Sequence, residues 1–430
     1  MIGRFLLVSA VLAALSSPLR AAPAKRITLP NGLRVVLQPN SATGVVAIEL
    51  LLDVAAGDEP ADKNGLRYVV QRLLLRGTKD ESGESMGRRL AAVGGVMDAT
   101  VGLDYVEIYA LAPAEGFDVA LDLLAGAVCN PAFAPEEVGR QKADAQEIAR
   151  AAREDPFQET YLAFREELYG DNPYGRPTLG RASTLASIAR EDVVDFHREH
   201  YVASRAVLAI CGGVGEARAL RAARDAFGGW RSGSRSAHPT QEPPSLELSR
   251  LVARERPLGQ THLILGFLAP AAGEPDYYPM HVLDSILGGG ASGRLPRKLR
   301  DKLGLVYHVS SFYPTLASRS HFGLYAATEV GRLDAVKSAI LGLLSDLAST
   351  PVSDQDLERA KRYLLGSYAL SHQRMKEQAY ALAWYEILGL GCDFEGRYSN
   401  SVEAVTAAQV QETAQSVLQR FVLAVTMPTM

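Results

Sequence analysis

The feature that most limits how this 430-residue chain can fold is that its second half restates its first. MGRRLAAVGG, from Met86, is echoed by LPRKLRDKLG, from Leu295. FDVALDLLAGAVCNPAFAPEEVGRQKADAQ, from Phe117, is echoed by LDAVKSAILGLLSDLASTPVSDQDLERAKR, from Leu333. STLASIAREDVVDFHREHYVASRAVLAICG, from Ser183, is echoed by NSVEAVTAAQVQETAQSVLQRFVLAVTMP, from Asn400. The order is kept and the offset stays at about 210–217 residues, which chance similarity between helices does not produce. Two α+β domains of one ancestral fold are therefore predicted, over 25–230 and 248–430. Between them RSGSRSAHPTQEPPSLE, 231–247, lacks apolar periodicity and reads as a linker.

Within the first half, RITLPNGLRVVLQPN predicts two strands joined by a turn at Pro30-Asn31-Gly32. VVAIELLLDVAAG and VEIYALAP read as further strands, and helices dominate from Phe117 to about Leu168. Strands grouped against helices, without strict alternation, favour α+β over a doubly wound sheet. With 47% hydrophobic and 22% charged residues the chain can bury large cores. A formal charge of −4 gives no reason to expect nucleic acid.

The N-terminus, MIGRFLLVSAVLAALSSPLRAAPA, has a positive start, a short apolar run and a small-residue end. Residues 1–24 are thus expected to be a secretory signal peptide, and the mature protein to be soluble and periplasmic, with no membrane insertion. Cys129, Cys211 and Cys392 are far apart and odd in number, so no disulfide framework is indicated, and no Cys-x-x-Cys zinc motif occurs. GGGASGR lacks the Gly-Lys-Ser/Thr ending of a phosphate loop, and Ser292 lies in no nucleophile elbow. His197 and His200 have the spacing of a chelating pair, with no third ligand in view.

GLRYVVQRLLLRGT, residues 65–78, carries the sharpest chemical signal. Leu66, Val69, Val70, Leu73 and Leu74 recur at helical spacing, while Tyr68, Gln71 and Arg72 cluster on the other side. Polar residues at i, i+3 and i+4 are how a helix presents the zinc-binding set His-x-x-Glu-His. The spacing is present and the ligand chemistry is not.

Taken with TLPNGLRVVL, LLDVAAGDEP, LAAVGGVMDAT, the AREDP segment and LGGGASGRLPRKLRDKLGLVY, this stretch closely resembles the M16 (pitrilysin/insulinase) metallopeptidase family, in its processing-peptidase-like branch. The resemblance implies two homologous M16-type (LuxS/MPP-like) α/β-sandwich domains joined by a linker. Laid on the family's helix without a gap, the first histidine falls on Tyr68, the general-base glutamate on Gln71 and the second histidine on Arg72. The third ligand, a glutamate, falls on or near Glu147. A phenol protonated near neutral pH and a guanidinium without a lone pair cannot bind zinc, and an amide cannot serve as the base. No metal is therefore expected in this chain. Glu147 is expected to pair with Arg72.

The family resemblance also implies an arginine and a tyrosine seven residues apart near the scissile carbonyl, here Arg300 and Tyr307. It makes GGVMDATVGLDYVEI, with Asp98 and Ala99, similar to the family's substrate-binding edge strand. The implied role is a non-catalytic subunit that supplies Arg300 and Tyr307 and half of a peptide chamber. Its partner would be a catalytic M16 subunit carrying His-x-x-Glu-His and zinc, and the complex would act on peptide substrates. A structural subunit like those of respiratory complexes, or a stand-alone peptide-binding protein, are the other classes.

Overall fold

A computed structural model describes residues 23–234, 242–243 and 245–429. The expected signal peptide falls almost wholly outside the described residues, as do 235–241 and 244 of the expected linker.

Each half builds one sheet. The first contains β1 (Lys25–Thr28), β2 (Arg34–Pro39), β3 (Val45–Leu52), β4 (Val96–Val101), β5 (Val106–Pro113) and β6 (Ala206–Gly212), in the order β1-β2-β6-β3-β5-β4. The second contains β7 (Arg250–Arg256), β8 (Thr261–Ala269), β9 (Val306–Phe312), β10 (Ser320–Thr328) and β11 (Val422–Pro428), in the order β7-β11-β8-β10-β9. Without β1, the two orders superpose strand for strand. Among the described residues of both, the only parallel pairing joins the first shared strand to the last, β2 to β6 and β7 to β11. The repeat read from the sequence is thus a repeat of topology, and β4 and β9 hold equivalent positions at a sheet edge. The β1–β2 hairpin turns where Pro30-Asn31-Gly32 predicts, with Gly32 at φ +92°.

The helices follow the same repeat. The first half carries α1 (Leu66–Leu73), α2 (Gly83–Ala92), α3 (Phe117–Cys129), α4 (Pro135–Ala152), α5 (Pro156–Tyr169), α6 (Ala182–Ser187), α7 (Arg190–His200) and α8 (Glu216–Phe227). The second carries α9 (Tyr277–Gly288), α10 (Leu333–Ser349), α11 (Asp354–Ser371), α12 (Met375–Ile387), α13 (Phe394–Glu403) and α14 (Ala407–Val417). None of the described helices is long and apolar enough to cross a membrane.

The halves are joined by exchange of a helix. α5 leaves its own domain and packs on the second sheet, where Phe164, Leu168 and Tyr169 meet Ile264, Tyr325, Val422 and Ala424. α12 does the converse, laying Leu382 and Trp384 on the face of the first sheet formed by Val36, Ala47, Leu51 and Val207. Each sheet is therefore covered on both faces, which is why β6 and β10 are buried along their whole length. Polar contacts pin both crossings. Thr160 and Thr426 share a 2.7 Å hydrogen bond, and Arg34 Nη1 donates to the Glu386 carbonyl at 2.8 Å.

Candidate functional site

α1 is positioned by its N-terminus. Gly65 sits at φ +100°, and a Cβ there would lie 2.8 Å from the Leu185 side chain and 2.9 Å from Gly180 Cα. The Glu59 carboxylate accepts from the Arg67 N–H at 2.9 Å and from Asn64 Nδ2 at 2.7 Å, placing negative charge where a helix start favours it. Arg67, which the sequence pattern did not single out, is almost fully buried. Its guanidinium donates to the carbonyls of Val54 at 2.8 Å and Gly102 at 3.1 Å, tying α1 to the loop after β3 and to the β4–β5 hairpin.

Tyr68, Gln71 and Arg72 do not form the open polar patch that their spacing suggests. Gln71 is 0% exposed: Tyr201 OH donates to its Oε1 at 2.8 Å, and its Nε2 donates to the Glu107 carbonyl. The amide is held on both sides by the fold and has nothing free to offer water or a metal. Tyr68 is half-buried, and desolvation raises its pKa, only partly opposed by the nearby Arg72. The phenol stays protonated and is no zinc ligand.

Arg72 departs from its expected partner. Its Nη1 lies 2.6 Å from Asp98 Oδ1 and donates to the Ala99 carbonyl at 2.8 Å. Glu147 instead turns outward on α4, 65% exposed, and pairs with Arg150 at 2.6 Å, one helical turn along. That arginine depresses the Glu147 pKa by hydrogen bonding and charge. The expected Glu147–Arg72 ion pair is not formed, because the β4 carboxylate lies within reach of Arg72 and Arg150 lies within reach of Glu147. The acid on α4 that faces the α1 region is Asp144, 3.5 Å from Arg76. Among the described residues, no three His, Cys, Asp or Glu side chains come together as a metal site. The side chains present at the family's zinc position do not fit that ion.

His197 and His200 serve different neighbours. His197 Nε2 bonds the Val128 carbonyl at 2.9 Å, and burial lowers its pKa to about 4. His200 Nδ1 accepts from Arg205 at 2.9 Å.

Asp98 and Ala99 lie in the middle of β4, at the edge of the first sheet. Gly102 N–H donates to the Tyr105 carbonyl at 2.9 Å, closing the hairpin. Counting back through the register, Thr100 and Asp98 are hydrogen-bonded pairs with Glu107 and Tyr109. Ala99, opposite Ile108, then turns its N–H and C=O to the outside of the sheet.

Tyr307 lies on β9, the equivalent edge of the second sheet, and Arg300 lies in the helical segment that precedes it. Arg300 belongs to Pro296–Lys302, a helical segment of wide π-type pitch, and pairs with its neighbour Asp301 at 2.9 Å. Tyr307 is the extra residue of a β-bulge: His308 pairs with Ala327 and Val306 with Thr328, and Tyr307 pairs with nothing between them. A bulge re-aims a side chain, and Tyr307 is 85% exposed. Leu303, between the two, is also exposed.

Two family models match, together covering most of the chain: "Insulinase (Peptidase family M16)" over 34–182 and "Peptidase M16 inactive domain" over 187–364. An uncharacterized zinc protease of Mycobacterium leprae is 27% identical over 93% of this chain and 91% of its own length. The uncharacterized zinc protease YmxG of Bacillus subtilis is 26% identical over 81% of this chain and 84% of its own. The crystal structure of a protease from Helicobacter pylori matches with a TM-score of 0.89 at 20% identity, over 95% of this chain and all of that one. The structure of a peptidase M16 inactive domain from Pseudomonas fluorescens matches at 0.87, also at 20% identity, over 95% of this chain and 99% of that one. Sequence order, duplicated topology and both family models agree: the chain belongs to the peptidase M16 family.

Proposed function

We propose that this chain is the non-catalytic subunit of a heteromeric zinc-dependent M16 peptidase. The observation that carries the reading is the contrast at the ligand positions: Gln71 is locked between Tyr201 and Glu107, and Arg72 is bound to β4. Neither is available for metal or water. Zinc and the general base then come from a catalytic partner carrying His-x-x-Glu-His. Arg300, on the helical segment before β9, and Tyr307, on β9 itself, are both exposed and supply a cation and a phenol suited to an oxyanion developing on a peptide carbonyl. The site of action is the periplasm, where the N-terminal signal directs the chain, and the substrates are peptides or unfolded segments.

The test is capture of a partner by the tagged chain from periplasmic extract, with fluorogenic-peptide cleavage assayed for the chain alone and for whatever it retains. Chelator-sensitive cleavage in the retained complex only is the expected result. Cleavage by the pure chain would overturn the reading of Tyr68, Gln71 and Arg72. An assembly without cleavage would move the chain to a structural role, and peptide affinity without any partner would make it a binding protein.

A further inference from the structure

An edge strand is a template for any extended backbone, because its outward N–H and C=O groups lack a strand partner. β4 is such an edge, and Ala99 is its central outward-facing residue. Both of its edge groups are already bonded. The N–H donates to Asp98 Oδ1 at 2.8 Å, and the C=O accepts from Arg72 Nη1 at 2.8 Å. A carboxylate oxygen thus stands where an incoming strand would place its carbonyl, and a guanidinium N–H where it would place its amide. The same two side chains bond one another at 2.6 Å.

They also reach the edge from opposite sides. Arg72 comes from α1, on the helix-covered face where the Ala99 methyl is buried. Asp98 alternates to the other face, beside Tyr109, whose ring Lys376 of α12 covers at 4.0 Å. The pair therefore closes around the strand margin like a clasp. We propose that Arg72 and Asp98 are a lock on the free edge of β4, which keeps extended peptides and other sheet edges from pairing with this domain. A residue at a former ligand position has thereby become an edge guard. The inference concerns the chain alone and stands whether or not a catalytic partner exists.

Both side chains are partly exposed, 30% and 45%, so the lock is closed yet shallow. Its test is fluorescence anisotropy of a short fluorescein-labelled Thr/Val peptide with the purified chain. Arg72→Ala and Asp98→Ala should each tighten binding by about five- to tenfold. Asp98→Asn, which keeps an acceptor for the Ala99 N–H and loses the charge, should lie between them and wild type. Addition of peptide should slow amide exchange across 96–101 in the alanine variants only. The same peptide N-methylated at alternate residues cannot pair along an edge and should show no gain. Unchanged affinity in both alanine variants would overturn the lock, as would an equal gain with the N-methylated peptide.

Discussion

β4 and β9 occupy the same place in two copies of one topology, and they present opposite surfaces. At β4 the central outward backbone groups are bonded to Arg72 and Asp98, and the neighbouring glutamine is sealed inside. At β9 a bulge throws Tyr307 into solvent, a few residues from an exposed Arg300 and Leu303. Tyrosine combines a large apolar ring with a polar tip, which is why it is enriched at interfaces. Duplication has kept the scaffold and let its two edges diverge. The face of α1 that carries Gln71 and Arg72 is taken up by the fold's own polar contacts, while Tyr307 and Arg300 stay exposed in the second half.

The contrast depends on the helix exchange, which fixes the two edges in one body. If α5 and α12 play reciprocal parts, Phe164→Ala and Trp384→Ala should each cost about 3–5 kcal/mol in urea unfolding. A loss confined to one of them would show that the two crossings are not equivalent. The fit at Phe164 is tight, since a Cβ on Gly266 would come within 2.4 Å of its ring.

A second difference lies on the α12-covered face of the first sheet. Glu49 is fully buried on the face of the first sheet that α12 covers, near Glu107, whose carboxylate accepts from Lys376 at 3.0 Å and from Thr100 at 2.8 Å. Tyr105 and Tyr380, joined by a 2.8 Å hydrogen bond, lie alongside. Desolvation, then the charge of Glu107, raise the Glu49 pKa well above the ordinary carboxylate range against the opposing pull of Lys376. The folded chain therefore keeps a proton that the unfolded chain has lost. Stability is lost as pH rises from the ordinary carboxylate pKa toward the folded value, by at most about 1.4 kcal/mol per pH unit for one proton. Glu49→Gln should remove that slope, so its advantage over wild type in thermal unfolding should grow from pH 5 to pH 8. A constant difference would mean that Glu49 is ionised in the fold.

The smallest effect is expected at the lock. Because the Arg72–Asp98 pair is partly exposed, Arg72→Ala should change stability by less than about 1 kcal/mol. A larger loss would make the pair a structural strut rather than an edge guard.

Much of this was legible in the sequence. The repeat, the opening hairpin, the strands and the missing zinc chemistry follow from spacing and from what phenol, amide and guanidinium can do. Three things do not. Helical periodicity says which side of α5 or α12 is apolar, and cannot say that each covers the other domain's sheet. Gln71 reads as part of a polar patch and Arg67 gives no signal, because the groups that absorb them, Tyr201, Val54 and Gly102, lie 130, 13 and 35 residues away. Family position points Glu147 at Arg72, while the acid within reach of Arg72 is Asp98 of β4. Local pattern locates the charges, and only the fold decides which of them meet.

The most direct test of the account is the specific activity of the captured peptidase complex carrying Arg300→Ala in this chain, measured on a fluorogenic peptide beside the wild-type complex. The account predicts an intact assembly whose kcat/KM falls by about a hundredfold or more, as when an oxyanion-stabilising group is removed. An assembled complex with undiminished cleavage would contradict it.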